Sequence, residues 1–233
     1  MRPDYSVHQK RWIKINGTDV RDWGVRVLSL PPLSLAREKI EEIIVPGRAE
    51  PVYEKTGEFD AKNMAVGLHI DSPDPMAAAY QIMAATTVEF SNDPGFIYDC
   101  VIPDQMSIPR QILNWHNFTV VFRCSPLKRM THEPTYTGLF SVKGTEIARP
   151  QIKLTAGDVP ADVAVTVADQ EMTVQNVTSE IVIDCLAERA WSGGTDITNY
   201  TLGRFFELKP GSTADFSATN ATITEIKPNF RWR

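Results

Sequence analysis

Short strand-forming segments, separated by turn signals, run through almost the whole of this 233-residue chain. Asn16-Gly17 stands between an alternating apolar segment and the next strand, an arrangement typical of a tight hairpin. Beyond residue 144 the turn signals recur at intervals of roughly eight to twelve residues, the spacing of a β-sandwich or jelly roll. One segment, 75–86, favours a helix instead. The pattern therefore predicts a mainly β protein with one helix.

The first half of the chain is predicted to hold two long strands among several short ones. Residues 36–45 are charged at first and then apolar, so the charged half is expected to lie exposed. Pro46-Gly47-Arg48 is predicted to form the following turn, and Gly57 to introduce a second long strand at 58–70. The shorter strands are predicted at 12–15, 25–30, 87–90, 96–102 and 118–124.

The helix prediction depends on residue types with known positional preferences. Pro75 suits the first helical turn, and Ser72 or Asp74 can cap the start. The alanine-rich and methionine-rich sequence that follows favours helix. Tyr80 and Met83 are expected on one face, together with Ala84.

Turn signals at Thr137-Gly138 and Lys143-Gly144 indicate a change of domain, so we expect domains at 1–138 and 139–233. The second domain of about 95 residues is large enough for one small β-sandwich. Its strands are predicted at 151–155, 163–168, 172–174, 180–185, 200–208, 215–217, 222–226 and 230–233.

Composition narrows the class of protein. Hydrophobic residues make up 42% of the chain, enough for real cores, but no apolar run approaches the ~20 residues of a membrane helix. The polar start, Met1 to Ser6, lacks the apolar core of a signal peptide, so synthesis in the cytoplasm without export is expected. A net charge of −5 without basic runs argues against a nucleic-acid-binding surface.

No catalytic, cofactor-binding or metal-binding signature is present, so we expect a protein that is not an enzyme. Cys100, Cys124 and Cys185 are widely spaced beside apolar residues, which favours buried free thiols. The four histidines, His8, His69, His116 and His132, have no partner at metal-binding spacing. No phosphate-binding or nucleophile motif occurs.

Two residues remain as candidate contacts with a ligand or partner. Trp191, in a predicted glycine-containing loop at 190–196, could stack under a sugar ring, although packing over a sheet edge explains it better. Arg48, held by the Pro-Gly turn, offers a rigid fork for a carboxylate, while an ordinary solvated turn explains it equally well.

The order and spacing of several motifs resemble the distal tail protein (Dit) family of phages with long, non-contractile tails. Each motif is weak alone, and the resemblance covers almost the whole chain. The motifs are Ile15-Asn16-Gly17, Val45-Pro46-Gly47-Arg48, the strand 58–70, the helix 75–86, the Phe-x-Val-x-Phe-x-Cys strand 118–124, Leu208-Lys209-Pro210-Gly211 and Phe230-Arg231-Trp232.

The resemblance implies a mainly β architecture, with an N-terminal split β-barrel-like belt domain and a C-terminal galectin-like β-sandwich. Copies of the belt domain would close into a hexameric ring, possibly two stacked rings, with the sandwich outside. The helix and long strands would form the subunit contacts. The resulting interface candidates are Pro46, Gly47, Arg48, Met76, Tyr80 and Met83.

The resemblance also implies a place at the distal end of a siphophage tail, or of a prophage copy of it. The ring would join the tail tube protein to the tail-associated lysin or fibre hub, within the baseplate that adsorbs to the host. DNA would pass through the channel without specific binding, and no membrane or cofactor would be involved. The small second domain favours an adaptor over a receptor-binding role. The alternative is a lectin-like carbohydrate-binding β-sandwich, with Trp191 as its ligand contact.

Overall fold

A computed structural model of the protein describes residues 10–71, 75–108 and 116–233. These residues form two compact units, one of residues up to 131 together with Arg233, and one of residues 132–232. The predicted mainly β class is confirmed, and the described residues contain a single α-helix, α1 (Met76–Met83). The predicted helix-capping residues Ser72 and Asp74 lie outside the described residues.

The first unit is built on one curled sheet of eight strands with the order β2-β1-β7-β8-β9-β6-β3, and β10 pairs with β8. The two remaining strands of this unit, β4 and β5, form a separate hairpin. A 3-10 turn, Val20–Trp23, precedes β3. The strands are β1 (Ile13–Ile15), β2 (Thr18–Asp19), β3 (Val25–Ser29), β4 (Glu38–Ile43), β5 (Val52–Phe59), β6 (Lys62–Ile70), β7 (Thr87–Phe90), β8 (Phe96–Val101), β9 (His116–Cys124) and β10 (Arg129–Met130).

Strict alternation in the two longest paired strands, β6 and β9, creates the core of this unit. Met64, Val66 and Leu68 of β6 point to one face and are buried, as are Phe118 and Phe122 of β9. Successive side chains of a strand point to opposite faces, so this alternation gives the sheet one apolar side. The helix covers that side with Ala78 and Ile82, and Ala85, just after the helix, joins the same core.

The Asn16-Gly17 hairpin forms as predicted and also anchors the end of the helix. Both residues have positive φ, 50° and 83°, as a tight two-residue turn requires. The Asn16 side-chain oxygen accepts hydrogen bonds from the backbone N–H groups of Thr86 (2.9 Å) and Thr87 (3.0 Å). The Asn16 amide donates to the Ala84 carbonyl at 2.9 Å. One side chain therefore ties the first hairpin to the link between α1 and β7.

We expect Asn16→Ala to lower the free energy of unfolding by about 2 kcal/mol, because alanine disfavours positive φ and loses these hydrogen bonds. Asn16→Gly keeps the backbone conformation and loses only the bonds, so roughly half of that loss is expected. Urea denaturation of the wild type and both variants measures the difference. Equal stability of the glycine variant and the wild type would contradict the anchoring role.

The prediction of one long strand at 58–70 is wrong. The structure breaks it at Asp60 and Ala61 into β5 and β6, and β5 begins at Val52, in a segment for which no strand was predicted. Gly57, taken as a strand start, lies within β5 with φ 76° at a register irregularity. β5 has no buried face, so its sequence lacks the alternation that identifies most strands.

The second unit is a β-sandwich, as predicted. Its sheets have the orders β17-β16-β15-β12-β21 and β18-β14-β13-β20, with a small β11-β19 pair and a 3-10 turn, Thr198–Tyr200. The strands are β11 (Phe140–Ser141), β12 (Gln151–Ala156), β13 (Ala161–Val167), β14 (Gln170–Val177), β15 (Glu180–Asp184), β16 (Arg189–Ser192), β17 (Thr195–Asp196), β18 (Thr201–Gly203), β19 (Thr213–Ala214), β20 (Phe216–Thr219) and β21 (Ala221–Lys227).

Two predictions in this unit are wrong in detail. The segment 190–196 was expected to be a flexible loop but forms the hairpin β16–β17, in which Gly193 and Gly194 adopt positive φ at a tight turn. The predicted strand 200–208 ends at Gly203, where φ is 106° and an added Cβ would lie 2.5 Å from the Glu171 carbonyl oxygen. The chain pairs again only at the bridge between Leu208 and Ala148.

Candidate self-association surface

The hairpin of β4 and β5, residues 38–59, is here called the arm. Among the described residues, its strands pair only with each other, in the register Ile43–Val52, Glu42–Tyr53 and Ile40–Lys55. Glu38, Val52 and Phe59 are half-buried, and every other residue of the two strands is exposed. The arm therefore presents both faces and both strand edges to solvent.

Large apolar side chains are concentrated on this exposed arm. The register places Ile40 and Tyr53 diagonally on one face, and Ile43 opposite Val52 on the other. Ile44, just past β4, is 80% exposed and Tyr53 is 66% exposed. An isolated two-stranded hairpin is marginally stable in water, and exposed strand edges invite pairing. Such an arm is typical of a surface that another chain covers.

The charges of the arm are mostly negative and partly paired. Lys39 Nζ lies 2.8 Å from Glu58, and Lys55 Nζ lies 3.2 Å from Glu38. The hydrogen bond from Lys39 lowers the pKa of the Glu58 carboxyl. Glu41 stands directly opposite Glu54, an arrangement in which like charges destabilise a hairpin. A partner that brings a cation to this pair would relieve the repulsion.

The predicted Pro46-Gly47 turn forms at the tip of the arm. The Arg48 N–H donates to the Val45 carbonyl at 3.1 Å, and Gly47 has φ 83° in the position that a type II turn reserves for glycine. Arg48 is exposed and forms no salt bridge with any described residue. The structure thus places Pro46, Gly47 and Arg48 together at one exposed site.

The outer face of the helix, made of Met76, Tyr80 and Met83, is a second exposed apolar patch on the same unit. These side chains are 40–69% exposed, while Ala78 and Ile82 turn toward the core. The neighbouring Ala77 is exposed as well, so the backbone of the helix is open to close approach. The six predicted interface residues therefore lie in two separate exposed patches.

Comparison with known proteins gives matches to solved structures alone, since no family model and no curated protein matches the sequence. The chain matches the Dit protein of phage SPP1, described as a hub adsorption apparatus of phages infecting Gram-positive bacteria. The TM-score is 0.70 at 18% identity, over 93% of this chain and 98% of that one. Two structures of the phage p2 baseplate also match, both at 11% identity. The structure with calcium matches at a TM-score of 0.57, over 96% of this chain and 98% of that one. The structure with strontium matches at a TM-score of 0.55, over 93% of this chain and 96% of that one.

The chain has the distal tail protein fold. The fold implied by the sequence resemblance is thus confirmed, because the match extends over nearly the whole of both chains. At 18% identity the likeness concerns the fold, and the roles of individual residues in this Dit-like chain depend on the geometry given above.

β4 falls within the predicted strand 36–45, whereas β5 of the arm was not predicted. Ile40, Ile44 and Tyr53 are not among the predicted interface residues, although the structure places them on the same arm as Arg48. The available signal was the group of β-branched and aromatic residues among charges on both sides of the Pro46-Gly47 turn.

Trp191, the predicted sugar contact, is half-buried in β16 and pairs in register with Val182 and Asp196. An open cleft of about 530 Å³ in its unit is lined by charged, polar and apolar residues, and Trp191 is not among them. Its Arg149 and Glu207 are bound to each other at 2.6 Å. Trp191 is therefore a half-buried side chain within a sheet and does not line this cleft.

Two further properties of the described residues bear on what the Dit-like chain can bind. They contain no group of three or more His, Cys, Asp or Glu side chains placed to hold a metal ion. Among the same residues, no helix is long and apolar enough to cross a bilayer.

Proposed function

We propose that this protein is a structural subunit of the tail tip of a long-tailed, non-contractile phage, where it acts without enzymatic activity. The observation that carries the proposal is the match to SPP1 Dit over 93% of this chain and 98% of that one. A fold shared from end to end, rather than over one domain, is what a protein with the same architectural task would retain. The two other similar structures are both of a phage baseplate.

The subunits are proposed to form a hexameric ring through their first units. The arm and the outer face of the helix are different patches on one subunit, so a contact between them is head-to-tail. Head-to-tail contacts close into rings when the rotation between subunits permits. The apolar side chains of the arm would then lie against Met76, Tyr80 and Met83 of the next subunit, and both patches would leave solvent together.

The ring is proposed to connect the tail tube protein with the tail-associated lysin or fibre hub, at the distal end of the virion tail. DNA would pass through its centre. A net charge of −5 supports this, because a basic lining would gain affinity for DNA through counterion release and retain it. The second unit is a sandwich of two small sheets without an inserted module, which favours an adaptor role.

Light scattering after gel filtration, over a concentration series, tests the ring directly. The expected mass is six times the subunit mass of 26.1 kDa, or twelve times for two stacked rings. Electron microscopy of the same fraction is expected to show rings with an open centre. A monomer at every concentration would contradict self-assembly through the arm, and binding to host-wall glycans would then support the lectin-like alternative.

A further inference from the structure

Two of the three cysteines face each other in the first unit. Cys100 of β8 and Cys124 of β9 are direct partners in an antiparallel pair. The Ser125 N–H donates to the Asp99 carbonyl at 2.7 Å, while the Cys100 N–H points the other way, to the Thr86 carbonyl at 2.8 Å. This pattern identifies a non-hydrogen-bonded pair, whose side chains share one face with Cα atoms about 4.5 Å apart. Disulfides form at Cα separations of roughly 4.4–6.8 Å.

The surroundings of the pair are those of reduced, protonated thiols. A hydrogen bond with the Cys100 thiol, followed by burial, raises the pKa of the Cys124 thiol well above its usual range. The Lys62 ammonium, opposite Cys124 in the β6–β9 register, acts in the other direction. The pair is therefore slow to react, and its lysine neighbour can stabilise the thiolate that forms.

The pair can still be reached from outside. An open depression of about 340 Å³ has Cys100 and Cys124 in its lining, together with Arg123 and Thr86. Cys100 is 6% exposed and Cys124 is 1% exposed, so Cys100 is the more accessible residue of the pair. Cys185, by contrast, is fully buried and belongs to the other unit.

The pair also lies at a short seam of the eight-stranded sheet. β8 and β9 are paired through two residue pairs only, Cys100–Cys124 and Val101–Arg123. β9 and β6, next to this seam, share nine. The seam joins the β2-β1-β7-β8 half of the sheet to the β9-β6-β3 half. A covalent bond there would fasten the two halves.

We propose that Cys100 and Cys124 are a redox-active dithiol that closes to a disulfide across this seam when a small disulfide oxidant is present. The Cys100 thiolate attacks the oxidant, releases one small thiol and forms a mixed disulfide. The Cys124 thiolate then displaces the second small thiol. Two protein thiols and one small disulfide become one protein disulfide and two small thiols, which carry away both electrons and both protons. The chemistry concerns the first unit alone and does not depend on ring formation.

To test the proposal, the folded full-length protein is oxidised with bis(2-hydroxyethyl) disulfide at about pH 8.5. The reaction is quenched with acid, and the remaining free thiols are then labelled with maleimide in denaturant. Three labels per chain are expected before oxidation and one after it, with a peptide that joins Cys100 to Cys124. Faster closure at higher pH is expected, because the thiolate is the attacking species. Retention of three labels, a link between chains or a link to Cys185 would overturn the proposal.

Variants and melting temperature supply the controls. Cys185→Ala is expected to lose two thiols on oxidation as the wild type does, whereas Cys100→Ala and Cys124→Ala form no internal link. The disulfide closes a loop of about 25 residues, so the first unit should melt higher by on the order of 5–10 °C, reversed by a reductant. A link that forms without raising the melting temperature would contradict closure of the seam.

Discussion

Replacement of Ile44 and Tyr53 together by aspartate is expected to convert the assembled protein into monomers without unfolding it. Both side chains are more than 60% exposed in the subunit, so aspartate at either position costs the monomer no more than about 0.5 kcal/mol. In the proposed ring both side chains lie against a neighbour. An aspartate carboxylate placed in this apolar contact loses its hydration without gaining a cationic partner. This loss weakens the contact by about 2 kcal/mol or more for each position.

The two substitutions together should raise the dissociation constant between neighbouring subunits by on the order of a thousandfold. Light scattering at a concentration where the wild type assembles measures the change in mass, and circular dichroism checks the fold. Val159→Asp is the matched control. Val159 is 77% exposed and Ile44 is 80% exposed, but Val159 lies in the second unit. Loss of assembly in the control, or a fully assembled double variant, would show that the arm is not the contact.

The sequence predicts best where one side of a strand is buried. β7, at Thr87–Phe90, has the predicted bounds, and β9 extends the predicted strand by two residues. In both, apolar side chains alternate against the core, so the sequence has the period of two that identifies a strand. The Asn16-Gly17 turn was equally predictable, because few other residue pairs accept its backbone angles.

β5 of the arm could not be predicted in the same way, because the described residues of the subunit bury neither of its faces. In a strand with both faces exposed, no core requires apolar and polar residues to alternate. Its apolar residues therefore resemble scattered surface residues. The pairing of Cys100 with Cys124 was out of reach for a different reason. It depends on the register of β8 against β9, which is fixed by the whole sheet and by no local motif.

Phe230→Ala is expected to destabilise the second unit by about 3–5 kcal/mol, since it removes a large, fully buried ring near the end of the chain. The Phe230 ring lies 6.2 Å from the ring of Phe140 and 6.1 Å from that of Trp232. Its N–H donates to Glu133, at the start of the unit. The segment after β21 therefore joins the start and the end of this unit. Alanine at position 230 would leave a cavity where these two segments pack on the core.

Chemical denaturation followed by tryptophan fluorescence measures this loss, and limited proteolysis shows whether cleavage begins within residues 132–232. Tyr200→Ala is the matched control, because it removes an aromatic ring that is more than half exposed in the same unit. Its cost should stay within about 0.5 kcal/mol. If both variants lose equally little, the last residues do not close the sandwich. If Phe230→Ala also prevents ring assembly, the first unit depends on the second, although the proposed contacts lie only in the first.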